Sequence, residues 1–316
     1  MKKIFTTLAL SSLVMLNAQA IPGVNSKGGA MVLPKGKFKA VIKHINFKRD
    51  TMYSGTDEVK NVQGLDAKAK ITLLGLVYGI TDKTTIRVII PYKDFHAEAN
   101  LPTTAGFPVE IDNKGIGDSI VMLRHQVLTM QDNGYAVSVG AGVKLPTGST
   151  DEKFVKGPPS NPNMNTPLPT QLGTGEAEYK VELGFSKMFE NNMRIDAHTM
   201  YTYRPKAKND YDFGNELSYD LGFVAGITKN INLGVEYNGK YNTDTDPGND
   251  PEPVSPFPFK AFAGSVGYIT PQIQWLPFDK PKLHVDFGMS FLAHYNTKEY
   301  RTLEKERFIM RIGYLF

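Results

Sequence analysis

The sequence predicts an all-β protein, a transmembrane antiparallel β-barrel of about 12 strands with short periplasmic turns and long extracellular loops. Three observations predict this class. The C-terminal stretch alternates apolar and polar residues, the same alternation recurs along the chain, and long and short connections between the alternating segments follow one another in turn.

The C-terminal stretch, residues 308–316, has the pattern of a membrane-crossing strand. Every second residue from Phe308 to Phe316 is apolar, while Arg307 and Arg311 fall on the opposite face. A strand crosses a bilayer with about 9–11 residues, lipid on one face and water on the other. The ending with Tyr314 and Phe316 resembles the C-terminal assembly signal of bacterial outer-membrane barrels, which implies the barrel-assembly machinery as a partner. The last strand of a soluble sandwich would alternate in the same way.

The N-terminus predicts export through a cleaved signal peptide. Lys2 and Lys3 precede an apolar run that is too short to span a bilayer, and Ala18-Gln19-Ala20 fits a cleavage site, so residues 1–20 form the predicted signal. The exported chain has no cysteine, and closure of its fold therefore cannot rely on disulfides.

The mature chain divides into two predicted parts. Residues 21–36 are rich in glycine and proline and predict a flexible N-terminal lead-in or plug. Residues 37–316 carry the alternating segments and predict the outer-membrane barrel.

Composition narrows the possible partners. No segment after the signal has 18 consecutive apolar residues, so no transmembrane helix is expected. Without Lys2 and Lys3 the chain keeps 34 of its 36 basic residues against 32 acidic ones, a net charge near +2. The basic residues are interleaved with acidic ones, which argues against a nucleic-acid partner.

Twelve segments alternate strongly enough to predict strands. Their predicted ranges are 37–48, 67–79, 84–95, 116–130, 135–145, 176–187, 194–204, 217–227, 231–241, 260–276, 283–295 and 308–316. The pattern leaves the facing of the first strand open, and Pro271 predicts a bulge or a distorted lower half in the tenth.

Connection lengths favour a barrel over a sandwich. Long loops follow the odd-numbered strands, among them residues 100–113, 146–174, 242–259 and 296–302, and short turns follow the even-numbered ones. Asn133-Gly134 is a hairpin signal in one such turn. Outer-membrane barrels have an even number of strands, with long loops at one end and short turns at the other, and the predicted connections follow this pattern.

Aromatic residues gather near the predicted strand ends, as expected at two membrane interfaces with lipid as a partner. Tyr201, Tyr203, Tyr241 and Tyr295 lie near the loops, and Phe185, Trp275, Tyr314 and Phe316 lie near the turns.

The polar faces of the strands predict the lining of the lumen. Pore-lining candidates are Glu176, Glu178, Lys180, Glu182, Arg194, Asp196, His198, Arg204, Asp220, Glu236, Lys240, His284, Asp286, Arg307 and Arg311. Mixed charges suit either a salt-bridged interior or a polar channel, and twelve strands fall between filled and water-filled barrels. Residues 21–36 are long enough to enter the lumen, and their deletion is then expected to raise conductance.

A search for catalytic chemistry gives no strong candidate, and no catalytic residue is expected. Ser290 and His294 share a face with His284 and Asp286, but residues four apart on a strand lie about 13 Å apart, too far for a nucleophile and its base. No metal or cofactor is predicted, because the sequence has no cysteine and no His-x-x-x-His helix. Gly115-Ile116-Gly117-Asp118 lacks the third glycine and the following helix of a phosphate loop.

Three short motifs carry a resemblance. Gly115-Ile116-Gly117-Asp118, Gly142-Val143-Lys144-Leu145-Pro146-Thr147-Gly148 and Leu172-Gly173-Thr174-Gly175 resemble the outer-membrane transporter family named for the meta-cleavage pathway of phenol degradation. The resemblance covers nearly all of the mature chain and implies a barrel that admits small, often aromatic, organic solutes. A charged lumen suits an apolar aromatic poorly. Either the solute is polar or anionic, or an apolar site lies elsewhere, for example under the loops with Phe257 and Phe259.

The expected function is therefore an outer-membrane channel for passive uptake of small organic solutes, aromatic ones included. The first alternative is a non-conducting structural or adhesive barrel that binds a partner through its extracellular loops. The second is an outer-membrane hydrolase.

Overall fold

The computed structural model describes residues 20–25, 27–100, 107–159, 161–190, 192–249, 263–277 and 282–316. Within these ranges the regular secondary structure is almost entirely β-strand, and none of the helices described there has the length and apolar character to cross a membrane. The strands are β1 (Phe38–Arg49), β2 (Thr51–Gly55), β3 (Asp57–Val59), β4 (Asp66–Thr81), β5 (Thr84–Asn100), β6 (Pro108–Ile116), β7 (Ser119–Leu128), β8 (Ala136–Leu145), β9 (Glu178–Met188), β10 (Met193–Tyr203), β11 (Glu216–Gly226), β12 (Ile231–Asn242), β13 (Gly264–Trp275), β14 (Leu283–Leu303) and β15 (Glu306–Leu315).

Twelve of these strands close into an antiparallel barrel, which confirms the predicted fold class. The order around the ring is β1-β4-β5-β7-β8-β9-β10-β11-β12-β13-β14-β15. The last strand pairs with the first, from Lys39 opposite Leu315 to Phe47 opposite Arg307. A closed ring leaves no unpaired sheet edge, so every strand finds two hydrogen-bonding neighbours.

The two ends of the barrel differ. We call the end with the long connections the loop end and the opposite one the turn end. At the loop end, β6 pairs with the far half of β5. There β2 also pairs with the far half of β14, and β3 pairs with β2. The predicted loops 100–113 and 296–302 are therefore wrong in part. Beyond the bilayer both faces of a strand can be polar, so the alternation that reveals a strand is lost there.

The structure shows which way the first strand faces and where the tenth predicted strand is irregular. Lys43 of β1 reaches an inner residue, Asn25, at 3.2 Å, whereas Ile42 is exposed outside, which settles the facing of the first strand. In β13 the register slips at Gly267/Tyr268 and not at Pro271, which stays opposite Val235. The bulge thus lies in the loop-end half.

The predicted hairpin at Asn133-Gly134 is present, since β7 and β8 pair antiparallel on either side of it, and its connection contains a short helix, α1 (Met130–Asn133). The hydroxyl of Thr129 accepts the backbone N–H of Asp132 and caps the first turn. Gly134 follows with φ of 73° and ends the helix in the left-handed conformation that glycine tolerates.

The barrel is apolar outside and polar inside. The exposed residues of the wall include Val181, Leu183, Leu221 and Phe308, between 43% and 56% exposed. Their neighbours on the same strands are buried and charged or hydrogen-bonding, and the largest apolar cluster lies at the loop end, around Ile111 and Phe154. This arrangement is inverted relative to a soluble protein and fits a lipid environment.

Candidate functional site

The barrel interior holds most of the charged residues singled out in the sequence. Eleven of them are buried, namely Glu178, Lys180, Glu182, Arg194, Asp196, His198, Asp220, Glu236, His284, Asp286 and Arg311. Arg204, Lys240 and Arg307 are partly buried. Glu176 lies just before β9 and is exposed.

Glu182 is the centre of the largest charge network. Arg87 and Arg124 donate to its carboxylate at 2.7 and 2.8 Å, and His198 Nε2 lies 2.9 Å from it. The other ring nitrogen of His198 lies 3.4 Å from Asp220. Five strands, β5, β7, β9, β10 and β11, are thus joined across the interior. Removal of one charged partner from such a buried network lowers the stability of the fold by about 3–5 kcal/mol, because the opposite charge is left without compensation.

Two smaller networks lie nearer the turn end. In one, Arg194 donates to Asp196 at 2.6 Å, and Ser186 donates to the same carboxylate at 2.5 Å. In the other, Arg311 donates to Asp286 at 2.5 Å, and His284 Nδ1 lies 2.9 Å from that carboxylate.

Toward the loop end a chain of alternating charges crosses the interior. Lys144 lies 2.7 Å from Glu178, Arg204 lies 3.0 Å from Glu216, and Lys240 lies 3.3 Å from the same Glu216. Sequence alternation predicted that Glu178, Arg204 and Lys240 face inward, whereas Lys144 and Glu216 were not among the predicted pore-lining residues. The alternation also carried no signal for the pairs, whose partners are up to 34 residues apart.

The N-terminal segment, residues 20–36 with Ser26 undescribed, runs through this interior. Arg311 donates to the carbonyl oxygens of Pro22 at 2.6 Å and Gly23 at 2.8 Å. Gln274 of β13 donates to Pro22 at 3.1 Å, and the Val24 N–H donates to Gln272 at 2.6 Å. The segment therefore begins close to the turn end of β13 and β15.

The middle of the segment reaches across the lumen. Asn25 donates its backbone N–H to Glu236 at 2.8 Å and its side-chain amide to Ser290 at 3.2 Å. The carbonyl oxygen of Lys27 accepts from Arg87 at 3.0 Å and Arg124 at 3.1 Å. Both arginines are also partners of Glu182, so the segment shares donors with the central network.

The segment then returns to the turn end. Ala30 donates to Ser186 at 2.8 Å, Leu33 donates to Thr85 at 2.9 Å, and Lys35 donates to Asp82 in the β4–β5 turn at 3.0 Å. Gly29 has φ of +54°, and a Cβ there would lie 2.2 Å from Asp196. Only glycine fits this close approach.

The three motifs of the resemblance converge on one carboxylate, in an arrangement we call the Asp118 clasp (Asp118, Lys144, Gly148 and Thr174). One oxygen of Asp118 accepts the Gly148 N–H at 3.0 Å. The other accepts the Thr174 N–H at 3.0 Å and the Lys144 ammonium at 2.7 Å. A Cβ at Gly173 would lie 2.4 Å from the Gly148 carbonyl, so the strands of the clasp meet only through glycine. The clasp ties both ends of the loop 146–177 to the barrel.

A second carboxylate, Glu304, organises the connection between β14 and β15. Arg49 donates to it at 2.6 Å, and Arg307, whose guanidinium lies 3.6 Å from the Tyr268 ring centre, donates to its other oxygen at 2.6 Å. Burial alone would raise the pKa of Glu304, but the charges of Arg49 and Arg307 hold that pKa well below its usual range. Burial, with the charge of Arg49, lowers the pKa of Arg301 to about 10.

Ligand atoms of His96, Glu98 and Glu110 lie within 4.8 Å of one another where β5 pairs with β6. This group was not predicted from the sequence, because β6 was not predicted as a strand that pairs with β5. The side chains are partly or largely exposed, and His96 already lies 3.3 Å from Glu98.

The residues considered for hydrolysis do not come together. Ser290 lies 2.7 Å from Thr270 and within reach of Asn25, whereas His294 is exposed and lies 2.8 Å from Ser265. His284 and Asp286 belong to the network of Arg311. Phe257, Phe259 and the predicted signal up to residue 19 lie outside the described residues.

Comparison with known proteins identifies one protein family and several solved structures that resemble this chain. The family model described as "Putative MetA-pathway of phenol degradation" matches residues 54–308. The chain is similar in structure to the COG4313 outer membrane channel from Pseudomonas putida F1, with 13% identity, 92% of this chain and 99% of that chain covered, and a TM-score of 0.65. At such identity the likeness shows the shared barrel fold.

Two other solved structures resemble the chain more loosely. The transport unit of the autotransporter AIDA-I from Escherichia coli is 10% identical, covers 96% of this chain and 95% of its own, and has a TM-score of 0.47. The CymD monoaromatic hydrocarbon channel is 8% identical, covers 90% and 88%, and has a TM-score of 0.42. No curated protein sequence matches the chain.

Proposed function

The chain belongs to the family described by that model, the MetA-pathway family of phenol degradation, and from this premise we propose that it is an outer-membrane channel for passive uptake of small organic solutes. We further propose that its N-terminal segment is a plug that holds the channel shut. The observation that carries the proposal is a polar lumen occupied by that segment, with the apolar face of the wall turned outward.

The membrane position follows from the outer surface. Exposed Tyr203 and Tyr241 lie near the loop end, and exposed Trp275 and Phe316 lie near the turn end. Aromatic side chains at two levels, with apolar residues between them, suit two lipid–water interfaces. We place the loop end outside the cell and the turn end in the periplasm, after removal of the signal at residues 1–20. The exposed Tyr314 and Phe316 are then available to the barrel-assembly machinery.

The pore-lining role is proposed for the inward-facing charged residues listed above. With the segment present, carbonyl oxygens of Pro22, Gly23 and Lys27 occupy donors of Arg311, Arg87 and Arg124. Once the segment leaves, those guanidinium groups face water in the lumen. A solute with a hydroxyl, carbonyl or carboxylate oxygen could then replace the lost carbonyls, which reconciles a charged lumen with organic solutes.

The transport experiment compares the mature chain with a variant lacking residues 21–32. Ion conductance is measured in planar bilayers after refolding, with phenols and aromatic acids added as blockers. We expect small or rare conductance steps from the full mature chain and frequent, larger, solute-blocked steps from the variant. Leu33 to Gly36 are kept, because Leu33 and Lys35 hold the turn end.

The result also separates the alternatives. A deletion variant that folds, as judged by heat-modifiable migration in gels, but stays silent would refute the channel and favour a binding barrel. Hydrolysis would require activity that is lost when His284 or His294 is replaced by alanine. Neither alternative is favoured by a specific contact in the described residues.

A further inference from the structure

A second candidate site lies at the loop end, outside the lumen network. A cavity of about 330 Å³, which we call the loop cavity, opens between the loop 146–177 and the short 3₁₀ turn Lys208–Asp210 that follows β10. Its lining includes Asn161, Asn163, Asn165 and Met164, with Lys208 on the opposite side. Its volume is at the lower end of ligand pockets and suits a small solute.

The walls of the loop cavity are fixed by buried hydrogen bonds. Gln171 donates its amide to the carbonyl oxygens of Glu152 and Thr166, both at 2.8 Å, and accepts the Glu152 N–H at 2.9 Å. Asn113 of β6 donates to the Thr166 hydroxyl at 2.8 Å and to the Thr170 carbonyl at 3.0 Å. The Asp118 clasp holds both ends of the same loop. These bonds hold the part of the cavity wall formed by Thr166 and Gln171, so that part needs little ordering when a ligand binds.

The polar groups facing the loop cavity are neutral on balance. Lys208 is the cation of the lining, and its ammonium is already paired with Asp151 at 2.6 Å and Thr150 at 3.0 Å. Asn161, Asn163 and Asn165 are exposed, and within the described part of the chain no hydrogen bond ties their side-chain amides to the protein. Each amide offers donors and an acceptor, which a hydroxyl group can use in both directions.

The apolar part of the lining completes the chemistry. Met164 and the buried Leu168 provide thioether and aliphatic surface beside the three amides. Met is adaptable and packs well against a ring edge. From this combination we infer that the loop cavity binds a small neutral organic solute that carries a hydroxyl group. A carboxylate would find the ammonium of Lys208 already neutralised and would meet the charge of Asp151 nearby.

The inference rests on the proposed function, since it names the solute class that a channel of this kind would collect at its outer mouth. Binding is nevertheless measured separately from conduction. The probe is hydroquinone, which is neutral and water-soluble, and the comparison solute is benzoate. Saturation-transfer difference NMR reports binding to the full mature chain in detergent micelles.

The test variant is the double substitution Asn163→Ala and Asn165→Ala, and the control is Gln131→Ala on the exposed turn helix at the other end of the barrel. We expect the double variant to bind hydroquinone at least tenfold more weakly, the control to bind like the wild type, and benzoate to bind weakly to all three. Because the side chains of Asn163 and Asn165 are exposed and make no hydrogen bond within the described residues, heat-modifiable migration should show that the double variant folds.

Either of two results overturns the inference. One is equal binding of hydroquinone to the double variant and the wild type, and the other is binding of benzoate as tight as that of hydroquinone. Conductance of the variant lacking residues 21–32 decides the channel independently. A silent channel with intact hydroquinone binding would therefore refute transport and leave the loop cavity as a binding site.

Discussion

The guanidinium of Arg311 offers the most direct test of the plug. It donates to the carbonyl oxygens of Pro22 and Gly23 through its two terminal nitrogens, while Nε donates to Asp286. Lysine in its place keeps one charge for Asp286 but loses the forked donors. Two hydrogen bonds to a charged donor contribute about 1.5–3 kcal/mol each. Loss of both hydrogen bonds should therefore destabilise the binding of Pro22 and Gly23 in the lumen by about 3 kcal/mol or more.

That free energy sets the size of the expected effect. Every 1.4 kcal/mol changes an equilibrium about tenfold, so Arg311→Lys should raise the ratio of open to closed time by about 100-fold. Single-channel recording measures this ratio directly. Arg204→Lys is the matched control, because Arg204 bonds Gly214 and Glu216 and no residue of the N-terminal segment. An open fraction that is the same in both variants and the wild type would show that the segment does not close the channel.

Three further results are expected. Asp118→Ala should free the loop 146–177 to proteolysis and lower the free energy of unfolding by about 3 kcal/mol, since several donors lose their acceptor, whereas Glu299→Ala at an exposed position should change neither. The pKa of Glu304 is lower in the folded state than its ordinary value of 4.5, so the ionised side chain stabilises the fold above pH 4.5 and this stabilisation is lost as the pH falls below that value. Urea unfolding should therefore show that Glu304→Gln is about 3 kcal/mol less stable than the wild type at pH 7. The difference in stability should shrink at acidic pH. Phe316→Ala should reduce the amount of heat-modifiable barrel recovered from outer membranes while leaving refolding in detergent intact, and equal recovery would contradict an assembly role.

Much of the barrel could be predicted because apolar residues that face outward alternate with polar residues that face inward along each strand. In β9, Tyr179, Val181 and Leu183 face outward while Glu178 and Glu182 are buried, as alternation requires. The rule failed where lipid no longer selects one face, as in β6 and in β14 beyond Phe291. There only long-range pairing defines the strand, and sequence alone does not show it.

The interior was predictable only as a set of inward-facing groups. Arg87 and Glu182 lie 95 residues apart, and their contact depends on the register of several intervening strands. The motif around Asp118 was visible as glycine-rich sequence, but its role in the clasp depends on three segments that meet only when β7, β8 and β9 pair. Hydrogen bonds of the N-terminal segment are mostly to backbone atoms, which leave no residue-type signature.

The pairing of β1 with β15 has a consequence for how the protein is made. Lys39 needs Leu315 as its neighbour, so the first strand has no partner on one side until the end of the chain arrives. Contacts this distant in sequence make folding slow and nearly all-or-none. A chain shortened by even its last strand would expose two open edges instead of losing one element. The barrel therefore lacks an open sheet edge only when β1 and β15 are both present and paired, and only then is no strand edge available to a protease or another chain.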